Sequence, residues 1–391
     1  MERVLWSLGQ DLKLNIVKSK NCTLFDSEGR EYIDLEAGIW SSSIGHGKSE
    51  VLEIIKEQAD KVIHTGYCYA DPIINDASET ILDILDFKDG KCGFLCAGSE
   101  SVVLGVRILQ TLLNDKFLLT FSNGYFGSYG DARDKNENSW IHFDWIKNCS
   151  DCSKECGSCD SFKSIPFDKI GGFVFEPGSS DFIKFPPNQL VVSIVNKIKF
   201  QDGFVLSNEV TTGLGRTGKW FGFNHYNIKP DIVTFGKSLG NGYPVSAVAI
   251  NEKIAGLLAE EEFYYCQSHG NDALGASVAK KVIEIIERDN LVEESNKKGS
   301  YLLSKIEEIA KSSKIIKEVR GRGLMISIEF NNSKNDIAHE VSHELFKNGF
   351  IVSNFKGMRH IRIDPAYTIE KTHIDGFLDA FKSIMNIFQN N

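Results

Sequence analysis

The chain has 391 residues, of which 42% are hydrophobic and 25% are charged, so it can bury a large core in one or two domains. Its formal net charge is −9 and it has no basic run that could follow a phosphate backbone, which argues against a nucleic-acid partner. No apolar stretch approaches the length of a membrane span and the start lacks a signal-peptide pattern, so we expect a soluble cytoplasmic protein.

The first predicted elements are strands followed by a helix. Residues 21–48 are typical of a short β-hairpin, turned at 27–29, and then a loop rich in glycine and serine. Residues 49–64 carry apolar side chains at helical spacing, and Ser49 can cap this helix.

A strand predicted to end at Cys96 leads directly into a helix that begins around Ala97-Gly98-Ser99. Glycine permits close approach of the backbone, serine adds a hydroxyl, and the helix N-terminus offers unpaired N–H groups. Gly98 and Ser99 are therefore candidates for binding a phosphate. Serine is also a common helix cap, so a purely structural role for Ser99 stays open.

A cysteine-rich segment covers residues 149–159. Its pattern is CxxCxxxCxxC, formed by Cys149, Cys152, Cys156 and Cys159. Four thiolates in paired spacings can bind zinc in a tetrahedral site or hold an iron–sulfur cluster, and the alternative is a loop of free thiols. We favour a structural zinc site, because such a site needs no redox partner.

The stretch 203–248 contains two apolar strand candidates, and polar residues follow each of them. Asn208 follows the first strand, and Lys237 follows the second within a run of glycines. Open α/β sheets bind ligands beyond the carboxyl ends of their strands. A lysine held desolvated there can form an imine with a carbonyl cofactor, whereas most single lysines are only solvated surface charges.

From about residue 290 the pattern changes to a helix followed by short strands. These strands are predicted at 323–330, 350–354 and 360–364, which is typical of an α+β arrangement.

The central stretch resembles the pyridoxal-phosphate (PLP) signature of the class III (ω-type) aminotransferases. The matching residues are Glu209-Val210, Thr212-Gly213, Gly215-Arg216-Thr217-Gly218, Pro230-Asp231-Ile232 and Lys237. The resemblance implies an α/β protein of PLP fold type I. It has a large domain with a mostly parallel sheet (49–264, with the cysteine-rich insertion) and a small α+β domain formed by both chain ends (1–48 and 265–391).

By this resemblance, Lys237 binds the cofactor as a Schiff base, while Gly98 and Ser99 bind its phosphate. Tyr125 stacks on the ring, and Glu176 belongs to the surrounding shell. The resemblance also implies a homodimer with shared active sites, in which Gln267 or Ser268 reaches the phosphate of the neighbouring subunit.

Two positions departing from the family pattern lie close to the cofactor. Asn208 stands where the family has an aspartate beside the pyridine nitrogen, and Thr211 replaces a glutamine near the phenolic oxygen. An aspartate keeps that nitrogen protonated and makes the ring a strong electron sink, whereas a neutral amide can only form a hydrogen bond with it.

The substrate contacts also follow from the resemblance. Arg362 matches the arginine that binds the substrate α-carboxylate, and Asp181 stands near the place of an acidic residue that pairs with this arginine. Trp40 is a candidate for the substrate wall, although a tryptophan here could equally anchor the chain to the core.

The implied activity is transfer of an amino group from an amino acid to a 2-oxo acid by a ping-pong mechanism. Because of Asn208, a PLP-dependent amino-acid racemase or epimerase is the first alternative. A non-catalytic binding protein on the same scaffold is the second.

Overall fold

The computed structural model describes residues 14–66, 68–149, 155–331, 336–354 and 357–390. Its strands are β1 (Ile16–Lys20), β2 (Thr23–Asp26), β3 (Glu31–Asp34), β4 (Lys91–Leu95), β5 (Phe117–Phe121), β6 (Trp140–Phe143), β7 (Ile170–Phe175), β8 (Phe204–Asn208), β9 (Ile232–Phe235), β10 (Ser246–Ile250), β11 (Ile316–Arg322), β12 (Met325–Phe330), β13 (Phe350–Ile351) and β14 (His360–Ile363).

The helical segments are α1 (Ala37–Trp40), α2 (Ser49–Lys61), α3 (Pro72–Leu85), α4 (Gly98–Leu112), α5 (Gly130–Asp134), α6 (Trp145–Cys149), α7 (Asp160–Lys163), α8 (Asn188–Phe200), α9 (Glu252–Ala259), α10 (Ala273–Arg288), α11 (Leu291–Lys311), α12 (Ile337–Lys347) and α13 (Lys371–Asn390). Over the described ranges, no helix is both long enough and apolar enough to cross a membrane.

A seven-stranded sheet in the order β4-β10-β9-β8-β7-β5-β6 forms the centre of the molecule. The neighbouring strands from β9 to β6 pair in parallel, and β10 pairs antiparallel with both β4 and β9. Strands β7 to β10 are buried along their whole length because helices cover the sheet, with α4 against β9 and β10 and α8 against β7 and β8. Apolar runs without alternation are typical of strands buried on both faces.

Two smaller sheets contain strands from the beginning and the end of the chain. One has the order β1-β2-β3-β13, in which β13 pairs in parallel with β3, and the other has the order β11-β12-β14. The predicted α/β class, the mostly parallel large sheet and the small α+β part built from both chain ends are confirmed. The exact domain boundaries stay a proposal.

Arg216 ties these parts together from a fully buried position. Its Nη1 donates to the carbonyl oxygens of Leu324 (2.8 Å) and Pro365 (2.7 Å), and its Nη2 donates to Ser43 Oγ (2.9 Å). Its guanidinium carbon also lies 4.8 Å from the ring centre of Tyr367. One side chain from the loop after β8 thus joins the N-terminal and the C-terminal segments to the large sheet.

The segment α1 is a left-handed turn. Ala37, Gly38, Ile39 and Trp40 have φ values of 48°, 57°, 55° and 63°. Positive φ is uncommon for non-glycine residues and is a true outlier for a β-branched one such as Ile39. The surrounding structure must therefore hold this turn in place, since each such residue costs on the order of 1–3 kcal/mol.

The packing of α11 on the small sheet allows a test of the fold. A Cβ on Gly299 would overlap the backbone carbonyl of Gly323, so Gly299→Ala should lower the free energy of unfolding by about 1–3 kcal/mol. Urea denaturation measures this difference. The matched control is Gly256→Ala on α9, where a Cβ meets nothing within 4 Å. This variant should raise the free energy of unfolding by about 1 kcal/mol at most. Equal effects of the two variants would contradict the described packing.

Candidate active site

A cavity of about 390 Å³ lies beyond the carboxyl ends of β4, β5, β7, β8 and β9. In a sheet of this kind the loops that follow parallel strands meet at one edge, where ligands bind. Ten of the residues singled out in the sequence line this cavity: Trp40, Gly98, Ser99, Tyr125, Glu176, Asp181, Asn208, Thr211, Lys237 and Arg362.

Lys237 follows β9 and Gly236 at the base of this cavity, with a left-handed φ of 44°. Its ammonium donates to Thr211 Oγ1 at 2.7 Å and lies 4.7 Å from the ring centre of Trp40. Burial lowers the pKa of Lys237 to about 8, although the charge of Glu176 opposes this shift. A fraction of the amine is therefore neutral, and hence nucleophilic, near neutral pH.

Glu176 is a buried carboxyl that lines the same cavity as this lysine and acts on it through its charge. It follows β7, and its Oε2 accepts the backbone N–H of Tyr125 at 2.8 Å. Burial raises the pKa of Glu176 to about 7, while the Tyr125 N–H and the charge of Lys237 oppose that shift. The lysine and the carboxyl thus each support the charged form of the other in a poorly solvated place.

The first turn of α4 approaches two other segments very closely. A Cβ on Gly98 would lie 2.7 Å from Val210 Cγ1, and one on Gly236 would lie 3.0 Å from the Gly98 Cα. Ser99 Oγ accepts the backbone N–H of Ser128 at 3.1 Å, which leaves its hydroxyl hydrogen as a donor. The fifteen-residue helix α4 therefore brings its N-terminus and a hydroxyl group to the cavity, and these groups can bind an anion.

Asn208 is buried at the end of β8. Its Nδ2 donates to the Tyr125 carbonyl at 3.0 Å, and its Oδ1 accepts from the Val210 N–H (3.2 Å) and from Thr234 Oγ1 (3.3 Å). The amide therefore belongs to the framework of the cavity and also lines it.

Arg362 is buried on β14 and stacks on Trp40, with its guanidinium carbon 4.3 Å from the ring centre. It donates to the Ser180 carbonyl (2.8 Å) and to Ser353 Oγ (2.6 Å), and its Nε lies 3.9 Å from Asp364 Oδ2. Trp40 is itself buried and also lines the cavity, and its predicted role as a wall for the substrate stays a prediction.

The pairing of Asp181 with Arg362 differs from the prediction. Asp181 is exposed at the cavity, and among the described residues the ion pair of Arg362 is with Asp364. Burial raises the pKa of Asp364 to about 6, although the Arg362 charge opposes that shift. Asp364 stands two residues after Arg362, and side chains at this spacing in a strand lie on the same face of the sheet. This spacing was the signal in the sequence that could have predicted the ion pair of Arg362 with Asp364.

Gln267 and Ser268 are not among the residues lining this cavity. Gln267 Nε2 donates to Glu100 Oε2 at 3.1 Å, next to the first turn of α4. Their predicted contact with a neighbouring subunit concerns a second chain and stays a proposal.

The cysteine-rich segment is described in part. Cys149 and Cys156 are buried, Cys159 is half-buried, and Cys152 lies outside the described residues. The backbone N–H of Phe162 lowers the pKa of the Cys159 thiol. The predicted metal site therefore stays a prediction.

The sequence was compared with known families and proteins. The model of the aminotransferase class-III family matches residues 7–385. The chain belongs to the class III aminotransferase family. The predictions of this family, of the PLP fold type I and of a PLP-dependent aminotransferase are confirmed.

Individual relatives include both aminotransferases and a racemase. The chain is 30% identical to a leucine/methionine racemase from Thermococcus litoralis, covering 94% of this chain and 89% of the relative. It is 27% identical to an acetylornithine aminotransferase from Archaeoglobus fulgidus, covering 93% of each. Among solved structures, an S-selective transaminase from Arthrobacter sp. superposes with a TM-score of 0.91 at 21% identity, covering 100% of this chain and 97% of that one.

The described residues fit the cofactor that this family uses. The cavity has a partly desolvated amine, a helix N-terminus with a hydroxyl for a phosphate, and glycines at the places of closest backbone approach. Lys237 would bind the aldehyde carbon of PLP, Gly98 and Ser99 its phosphate, and Asn208 its ring nitrogen.

The effect of the Glu176 charge on Lys237 predicts how the pKa of the lysine changes when this charge is removed. Glu176→Gln removes a negative charge that raises the pKa of Lys237, so this pKa should fall below about 8. The measurement is the pH dependence of borohydride-trapped imine formation between the apoprotein and pyridoxal. Asp181→Asn is the control and should have a smaller effect, because Asp181 is exposed and the weakest of the contributing charges. A rise in the Lys237 pKa would contradict the proposed pairing.

Proposed function

We propose that this protein transfers an amino group from an α-amino acid to a 2-oxo acid. The observation that carries the proposal is that Lys237 and Arg362 both lie against Trp40 in one cavity, at 4.7 Å and 4.3 Å from its ring centre. One cavity thus has an amine and a guanidinium that can bind a carboxylate, the two groups that an amino acid needs. PLP, when bound, supplies the aldehyde carbon that accepts the amino group and the ring that withdraws electrons from the substrate.

The residues of the chain orient the substrate and move its proton. Arg362 keeps donors beyond those given to Ser180 and Ser353, and these can grip the α-carboxylate. Lys237 has a pKa of about 8, lowered mainly by burial, so its free amine can take the proton from the substrate Cα and would deliver it to the carbon that accepts the amino group, two bonds away. Trp40 and Tyr125 supply aromatic surface to the lining of this cavity.

A racemase or epimerase is the second candidate function. Two observations favour it, namely the neutral Asn208 at the position of the family aspartate and the 30% identity to a leucine/methionine racemase. In such an enzyme the proton returns to Cα, and the amino group stays with the substrate.

Three finer predictions also remain proposals: a homodimer with Gln267 or Ser268 at the neighbouring active site, a cytoplasmic location, and zinc at Cys149, Cys152, Cys156 and Cys159.

An isotope experiment separates the two functions. The PLP-loaded protein is incubated with a panel of L-amino acids in heavy water, and cofactor absorbance is followed together with deuterium at Cα. For an aminotransferase we expect conversion to the pyridoxamine form, reversed by a 2-oxo acid. Deuteration with loss of chirality and an unchanged cofactor would establish the racemase instead, and no reaction with any amino acid would contradict both.

Arg362 provides a test of carboxylate recognition. Arg362→Lys removes the planar fork and the stacking on Trp40, so the transition state should lose about 1.5–3 kcal/mol of stabilisation and kcat/KM for amino acids should fall roughly ten- to 150-fold. An amine substrate without a carboxylate should lose much less. Arg288→Lys on the exposed end of α10 is the control and should leave both values unchanged. Equal losses for both substrate types would contradict the assignment.

A further inference from the structure

The side-chain amide of Asn208 has only one possible orientation. Its Nδ2 lies 3.0 Å from the Tyr125 carbonyl oxygen, and its Oδ1 lies 3.2 Å from the Val210 backbone nitrogen. A backbone carbonyl can only accept and a backbone N–H can only donate, so exchanging the amide oxygen and nitrogen would place like groups against each other at both contacts.

This orientation leaves one amide hydrogen without a protein acceptor. Nδ2 carries two hydrogens, and within the described part of the chain the Tyr125 carbonyl is its only acceptor. Oδ1, in contrast, already receives the Val210 N–H and the Thr234 hydroxyl. Because Asn208 is buried and lines the cavity, the group that it can offer to a ligand is a donor.

We propose that Asn208 donates this hydrogen to the pyridine nitrogen of PLP and thereby keeps that nitrogen unprotonated. The inference rests on the proposed function, because it concerns the same cofactor site. A hydrogen-bond donor beside the ring nitrogen stabilises its lone pair and so disfavours protonation of that nitrogen. A carboxylate has the opposite effect. A neutral ring withdraws fewer electrons from the substrate Cα than a pyridinium does.

The contacts of Asn208 also make an ionised carboxylate at this position unfavourable. In Asn208→Asp, one carboxylate oxygen would replace Nδ2 and lie close to the Tyr125 carbonyl oxygen, with no hydrogen between them. The Tyr125 backbone cannot simply move away, because its N–H is held by the buried Glu176. The surroundings of position 208 are therefore matched to an amide.

The direct test is ¹⁵N NMR of the protein loaded with PLP labelled at the ring nitrogen. For the wild type we expect a resonance at the pyridine position throughout pH 6–9, whereas a pyridinium resonates far upfield. Asn208→Asp should shift the resonance upfield at the upper end of this pH range, where the introduced carboxyl is ionised and draws a proton onto the ring. Thr234→Val is the matched control, since it removes one donor to Oδ1 but keeps both backbone contacts, and its resonance should stay with the wild type.

An upfield wild-type resonance at pH 7 would overturn the inference while leaving the proposed function intact. Failure of Lys237 to bind PLP would overturn both. The apoprotein gives a second readout, because the introduced carboxylate should have a raised pKa in the folded state. The melting temperature of Asn208→Asp should therefore lie below that of the wild type at pH 8, and this deficit should shrink as the pH falls towards 5. A deficit that stays constant with pH would contradict the described contacts of the amide.

Discussion

The active-site region depends on burying positive and negative groups close to one another. Lys237 and Arg362 supply the cations, and Glu176 and Asp364 supply the carboxyls. Burial pushes Lys237, Glu176 and Asp364 towards their neutral forms, and the opposite charges around them push them back, so none of the three can be understood alone. Trp40 contacts both cations through its ring, so neither charge lies against a purely apolar wall.

Much of this arrangement could be predicted from the sequence, because it depends on local patterns. Apolar runs without alternation indicate strands that are buried on both faces, and the polar residue that ends each run then lies at the common edge of the sheet. This reasoning placed Lys237 and Asn208 at the ligand-binding edge of the sheet, and both line the same cavity although they are 29 residues apart. Gly98 and Ser99, which the family resemblance related to them, follow a different strand of the same sheet and line this cavity too.

The remaining features depend on contacts between distant segments. The spacing of Arg362 and Asp364 in the strand allows their ion pair, but the exposure of Asp181 and the bond from Arg362 to the Ser180 carbonyl depend on where the 180–183 loop lies relative to β14, which no local pattern encodes. The orientation of the Asn208 amide is set by Tyr125, a residue 83 positions away. The sequence motif around Arg216 likewise indicates only a tight turn. It does not predict that this side chain forms hydrogen bonds to three distant segments.

The left-handed turn at Ala37–Trp40 has a consequence for how the protein could be altered. Exchanging Ile39 for glycine would relax an unfavourable backbone and could raise the melting temperature. The same exchange would free the backbone beside Trp40, whose indole contacts both cations of the cavity. Selection for thermal stability alone would therefore favour substitutions at this turn that lower activity. A useful variant here must be chosen on its turnover as well as on its stability.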